Sequence, residues 1–184
     1  MKKIKLLSAA AFIVAAILSG LNAKAQAIKD GQWRLGIGLE VNKGLGDFGD
    51  ATSIGIGITP RLQYGLSSDL AFTLTSGYYH FFGKTYTSSI LTPFGTTTAT
   101  VTGADVNLVP LKAGIKAFFT EGWYFGAEVG AAFSTAKNGK TLLDLSPALG
   151  YASGPWEVSG RYEHLSNDGS LGFVGLRVAY GFDL

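Results

Sequence analysis

LGFVGLRVAYGFDL, residues Leu171–Leu184, carries two unlike faces in strict alternation from Val174 onward. Val174, Leu176, Val178, Tyr180, Phe182 and Leu184 fall on one side; Gly175, Arg177, Ala179, Gly181 and Asp183 fall on the other. Successive strand side chains point to opposite faces, so a period of two predicts a β-strand with one oily side and one small or polar side. Aromatic residues sit on the oily side close to the last residue.

The same alternation recurs upstream. Strands are expected at about Gln32–Asn42, Ser53–Leu66, Leu70–Phe82, Thr102–Phe119, Trp123–Ser134, Leu142–Ala152 and Trp156–Ser166, which with Leu171–Leu184 makes eight. Ser67-Ser68-Asp69, Thr120-Glu121-Gly122 and Ser153-Gly154-Pro155 read as tight turns. Lys43–Thr52, Gly83–Val101 and Thr135–Thr141 read as longer, polar connections, and Asn167–Ser170 as a short loop. In Thr102–Phe119 the apolar positions change parity between Leu108 and Leu111, and a bulge is expected at Pro110, which has no N–H to give to a ladder. An even number of strands near ten residues, with short turns at one end and longer connections at the other, predicts a transmembrane up-and-down barrel.

Residues 1–25 read as a removable export signal: Lys2, Lys3 and Lys5, then an apolar core Leu6–Leu18, then the small-x-small site Ala23-Lys24-Ala25. That core is 13 residues long, whereas a spanning helix needs roughly 20. The leader carries four of the 15 basic residues and none of the 13 acidic ones, leaving 11 against 13 and a net charge of −2 in residues 26–184. The basic balance of the whole chain therefore carries no implication of nucleic-acid binding. There is no cysteine, which excludes disulfides, thiol chemistry and a lipoprotein attachment site.

Alternation alone also fits a soluble barrel with an oily interior, and three features separate the two. The polar face holds twelve glycines (36, 38, 55, 57, 65, 77, 114, 126, 130, 150, 175 and 181) with threonines and few charges, where a solvent-facing sheet would be dense in Lys and Glu. Its charges nearly cancel: Arg34, Arg61, Lys112, Lys116, Arg161 and Arg177 against Glu40, Glu128, Asp144, Glu157 and Glu163. A sealed lumen requires that balance, because an unpaired buried charge is costly. Finally, aromatics line the oily face at the short-turn end of every strand: Trp33, Tyr64, Phe72, Phe119, Trp123, Phe125, Tyr151, Trp156, Tyr180 and Phe182. Such rings favour a membrane–water boundary, so they are expected to form an interface girdle, with a sparser one at Tyr78, Phe82, Phe133 and Tyr162. The oily face is expected to meet lipid.

Tyr180-Gly181-Phe182, Gly77-Tyr78-Tyr79, Pro110-Leu111-Lys112-Ala113-Gly114, Pro147-Ala148-Leu149-Gly150-Tyr151 and Arg161-Tyr162-Glu163 resemble the small outer-membrane β-barrel family of OmpA, OmpX and OmpW transmembrane type, in versions without a periplasmic domain. The resemblance spans residues 26–184. It implies residence in the outer membrane of a Gram-negative bacterium, contact with outer-membrane lipid and lipopolysaccharide, and insertion by the barrel-assembly machinery, which reads an aromatic-ended last strand. Here Phe182 stands two residues before the final Leu184.

Three local patterns bear on chemistry. Gly44-Leu45-Gly46-Asp47-Phe48-Gly49 spells GxGxxG, but a dinucleotide site needs that motif to open the helix of a βαβ unit. The next expected element is a period-two strand, so the motif reads as a surface loop. His164-Leu165-Ser166-Asn167 resembles the His-x-Ser-Asn motif of PagL-type lipid A deacylases, in which a base stands beside a hydroxyl at the membrane surface. That family orients its histidine with an acid on the following strand; none lies on the oily face of Leu171–Leu184, leaving Asp168 as the substitute. The reading preferred for the same residues is an interfacial ring leading into a Ser-Asn-Asp-Gly turn, because a nucleophile needs an oriented base, and no catalytic residue is assigned. His80 reads as an interfacial ring rather than a metal ligand. Ile90, Leu91 and Phe94, on the long connection, suggest a contact surface on strands prolonged beyond the membrane, or equally a solvated hairpin with its own small cluster.

The expected protein is a monomeric, non-enzymatic membrane barrel with a filled lumen, in a structural or surface-interaction role, without metal or cofactor. The alternatives are an esterase using His164 and Ser166 with Asp168, and an OmpW-like carrier of small apolar molecules.

Overall fold

A computed structural model describes residues 29–92, 95–137, 139–167 and 169–184. The expected leader at 1–25, Phe94 and Asp168 lie outside the described residues, as do the side chains of Ile90 and Leu91.

The strands are β1 (Trp33–Leu45), β2 (Thr52–Gly65), β3 (Leu70–Ser76), β4 (Tyr78–Gly83), β5 (Thr85–Thr92), β6 (Gly95–Thr102), β7 (Val106–Phe118), β8 (Trp123–Ser134), β9 (Thr141–Ser153), β10 (Trp156–Asn167) and β11 (Gly169–Asp183); a short helix α1 (Gly46–Ala51) follows β1. Strands β3 and β4 are two halves of one stave, so eight antiparallel staves stand side by side in chain order. The sheet closes because β1 pairs with both β2 and β11, the last strand in the chain. This is an eight-stranded, up-and-down transmembrane β-barrel.

Its solvation is inverted relative to a soluble domain. Leu39, Val41, Ile54, Ile56, Ile58, Leu111, Ile115, Val129, Leu145, Leu149, Val174 and Leu176 are exposed, while Glu40, Arg61, Lys112, Lys116, Asp144, Glu163 and Arg177 are buried. A coat of branched aliphatic side chains facing outward is stable only against hydrocarbon, and closing the hydrogen-bonded sheet into a cylinder removes its edges.

Pro110 does not act as expected. Strand β7 keeps one parity from Val106 to Phe118, and its register against β8 runs unbroken from Leu108 to Phe118. Val106 and Leu108 therefore point inward with Lys112, and no bulge occurs. The interruption falls on the neighbouring stave instead. Ser76 pairs with Leu111 and Tyr79 with Leu108, which sets Gly77 opposite Pro110. Gly77 is the residue that separates β3 from β4. The proline carbonyl faces this side, accepting a hydrogen bond from Ser76 Oγ at 3.1 Å, so its missing N–H removes a rung there.

One connection differs from the expectation of a loop, and another takes the expected form of prolonged strands. Strand β1 runs on to Leu45, and the glycine-rich motif folds as α1 before an antiparallel β2. No βαβ unit exists there, so a dinucleotide fold is absent from this segment. The connection between β4 and β7 is a hairpin, β5–β6, forming a second two-stranded sheet.

Candidate functional site

The lumen is filled by one connected set of ion pairs. Arg61 donates to Glu128 (3.2 Å) and to Glu157 (3.0 Å). Glu157 also accepts from Arg177 (3.0 Å), from the Tyr124 hydroxyl (2.8 Å) and from Lys116. Arg177 lies 3.7 Å from Glu40, which is bonded to Arg161 and Thr59. Arg161 is 3.1 Å from Glu163, and Lys112 bridges Glu163 and Asp144. Arg34, expected in this set, pairs with Asp183 at the short-turn rim, 2.6 Å away. That leaves Arg61, Lys112, Lys116, Arg161 and Arg177 against Glu40, Glu128, Asp144, Glu157 and Glu163, a neutral interior. A space of about 10 Å³, about the room of one water, lies beside Arg61, Lys116 and Glu128, and another of the same size lies nearer the short-turn rim between Arg34 and Glu157.

Above this network, toward the long connections, lies an apolar plug that the sequence pattern did not reveal. Phe48, Tyr79, Phe81, Leu108, Ala132, Leu165 and Phe173 form one buried cluster, flanked by Val106, Leu142 and Leu171. Phe81 meets Phe48 and Phe173 edge to face, with ring centroids 4.9 and 5.0 Å apart. Phe48 comes from α1, which lies over the mouth as a lid. Gly46 enters the helix at φ +55°, a conformation that favours glycine. The Thr52 hydroxyl holds the far end by donating to the Phe48 carbonyl at 2.6 Å. The chain's own rings fill the barrel beneath the long connections.

The hairpin β5–β6 is tied beside the lid. Lys84 N donates to Ala51 O (3.0 Å), Gly103 N to Lys84 O (2.9 Å), and the Tyr86 hydroxyl to Asp50 O. Hydroxyls face each other across it at Thr85–Thr102, Thr87–Thr100 and Ser89–Thr98, 3.1 to 3.4 Å apart. Residues 85–102 contain no Asp, Glu, Lys, Arg or His. Among the described residues, β5 and β6 pair only with each other.

The aromatics expected at the short-turn rim all face outward. Trp33, Phe72, Phe119, Trp123, Phe125, Trp156, Tyr180 and Phe182 are exposed, and Tyr64 and Tyr151 half-buried. They touch in pairs around the rim: Trp33 with Tyr64, Phe119 with Phe125, Trp123 with Tyr151, and Trp156 with Tyr180, centroids 4.7 to 5.4 Å apart.

His164 and Ser166 share the outward face of β10, half-buried. The hydroxyl near His164 is that of Ser170 on β11, 3.5 Å from Nδ1, a long contact at the limit of a hydrogen bond. Among the described residues no carboxylate contacts this ring; Asp168, the expected third member, lies outside them. On the opposite wall the ring of His80 is better held. Its Nδ1 lies 2.6 Å from Asn107 Oδ1, its Nε2 3.8 Å from Asp105 Oδ2, and Phe82 meets it edge to face at 4.4 Å. The Tyr78 hydroxyl donates to the same Asn107 oxygen at 2.9 Å. Among the described residues no three His, Cys, Asp or Glu side chains converge as metal ligands.

No family model matches the chain, and no curated protein matches it in sequence. Similarity appears in three dimensions. The crystal structure of Ail, the attachment invasion locus protein of Yersinia pestis, in complex with the heparin analogue sucrose octasulfate, aligns with a TM-score of 0.55 at 15% identity, covering 83% of this chain and 99% of that one. The backbone structure of the Yersinia pestis outer membrane protein Ail in a phospholipid bilayer nanodisc aligns with a TM-score of 0.52 at 17% identity, covering 83% and 100%. The chain has the fold of the small eight-stranded outer-membrane barrels represented by Ail.

Proposed function

We propose that the protein is an outer-membrane barrel that presents a surface for contact with other polypeptides and passes nothing through its lumen. The observation that carries this reading is the hairpin Thr85–Thr102: an uncharged pair of β-strands raised on a neutral, filled barrel, with both outer edges unpaired among the described residues. Exposed edges are rows of unused N–H and C=O groups, and proteins usually guard them with charges, Pro or bulges. Here residues 85–92 and 95–102 hold neither charge nor proline. An extended segment of another chain can add to such an edge through its backbone. The aromatic rim at the short-turn end serves as the inner interface girdle, and the long connections face outward from the cell. The attachment role stated in the name of Ail is consistent with this reading.

The test compares cells displaying the full chain with cells displaying a version in which residues 86–101 are replaced by a two-residue turn. Heat-modifiable migration on gels establishes that both barrels are folded. Adhesion to protein-coated surfaces is expected to fall to background without the hairpin; equal adhesion would overturn the proposal.

A further inference from the structure

The hairpin β5–β6 leaves the barrel through a neck with no room for side chains. A Cβ on Gly83 would collide with the Gly103 carbonyl, and one on Gly103 would lie 3.2 Å from Ala51 O. Gly103 N donates to Lys84 O at 2.9 Å and Gly83 N to Asp105 Oδ1 at 2.8 Å, which sets the two arms side by side. A two-stranded hairpin on its own is marginally stable in water, so its direction depends on what it leans against. The donors at its foot turn to one element. Lys84 N donates to Ala51 O at 3.0 Å and the Tyr86 hydroxyl to Asp50 O, with the Lys84 ammonium 5.5 Å from the centre of the Tyr86 ring. Asp50 and Ala51 are the last two residues of α1. The closing carbonyls of a helix have no partner within it, and the hairpin fills these two.

The helix α1 is itself moored from below. The buried Phe48 ring packs on Phe81 and Phe173, with centroids 4.9 and 6.4 Å away. The Thr52 hydroxyl holds the Phe48 carbonyl, and Gly49 lies so close to Gly44 that a Cβ there would collide with the Gly44 carbonyl. The glycines of the GxGxxG stretch thus fold α1 back onto the end of β1. One path of contacts runs from the plug through Phe48 to the carbonyls of Asp50 and Ala51, and from there to Lys84, Tyr86 and the hairpin.

We infer that α1 is the mount that fixes the direction of the hairpin, with Phe48 and Tyr86 as positioning residues for its contact with another polypeptide. Strand addition is strongest at an edge already held in place. An edge that has to be ordered as the partner arrives loses that ordering free energy from the affinity. The inference rests on the contact-surface reading, and it gives the lid a task that faces outward from the lumen.

The test measures the direction of the hairpin separately from adhesion. The chain has no cysteine, so Ser88→Cys on β5 and Thr141→Cys at the start of β9, both exposed, take spin labels selectively in the refolded protein. One narrow distribution of distances between the labels is expected. Phe48→Ala and Tyr86→Phe are each expected to broaden it about twofold at unchanged heat-modifiable migration, as local opening of the mount requires, and Phe48→Leu to keep it narrow. On cells displaying unlabelled chains, adhesion to protein-coated surfaces is expected to fall several-fold with Phe48→Ala and to stay near the parent level with Phe48→Leu. An unchanged distribution in folded Phe48→Ala and Tyr86→Phe would overturn the mount. A broadened distribution with undiminished adhesion would overturn the positioning role. Parent adhesion no greater than that of the chain without its hairpin would overturn the contact reading instead, and the label distances would still decide the mount.

Discussion

Arg177 crosses the lumen directly over Gly38: a Cβ at Gly38 would fall 2.6 Å from the guanidinium carbon. The glycine is the space that the buried arginine occupies. Gly38→Val is expected to expel the guanidinium and break its 3.0 Å pair with Glu157, at a cost of about 3–5 kcal/mol, since one partner of a buried pair is left uncompensated. Gly36 lies on the same inward face, but there a Cβ would be 3.6 Å from its nearest neighbour, Gln63 Nε2. Gly36→Ala is expected to cost less than ~1 kcal/mol. Urea unfolding of the two refolded variants in the same detergent measures the contrast.

Glu157 is the hub of the interior, accepting from Arg61, Lys116, Arg177 and Tyr124. Glu157→Gln leaves three cations around a neutral amide, and a loss of about 3–5 kcal/mol is expected. Adding Lys116→Met removes one of those cations without inserting a new polar group. The double variant is expected to be more stable than Glu157→Gln alone, as a double-mutant cycle would record.

Phe48 closes the mouth, but the ion pairs beneath it do not depend on the lid. Phe48→Ala is expected to expose α1 to proteolysis while the barrel keeps its heat-modifiable migration, because a six-residue helix has little stability of its own once its buried ring is gone. Planar-bilayer recordings of both proteins are expected to show no porin-sized steps. Such steps from Phe48→Ala would place the seal at the plug rather than in the charged interior.

Most of the barrel was legible because the physics that builds it acts residue by residue. Alternation gave the staves, and glycines opposite leucines told which face turns inward. Glu128, Asp144, Glu163 and Lys112 sit in the lumen, where parity placed them. What escaped detection lies at one end. At Tyr78-Tyr79, Phe81-Phe82, Leu108-Val109 and Phe173-Val174 both faces of the sheet are apolar, so hydrophobicity loses its period and cannot assign a side. The plug was hidden by that loss of contrast, and the parity change read at Pro110 was the plug residues Val106 and Leu108 facing inward. The six-residue helix was masked by its glycines, which argue against helix unless a buried Phe48 anchors the turn. His164 and Ser166 were placed on one face correctly, but the partner across the strand gap, Ser170, depends on register, which sequence alone does not supply.

The oily face looks outward, and the chain's three tryptophans report on it: Trp33, Trp123 and Trp156 all stand on that face at the short-turn rim. Their fluorescence in bilayers of lipids brominated at defined acyl depths measures contact and depth together. Strong quenching by shallow bromines, weakening as the bromines move toward the bilayer centre, is the predicted result. Tryptophans unquenched at every depth, in a protein that stays monomeric in water without detergent, would contradict it.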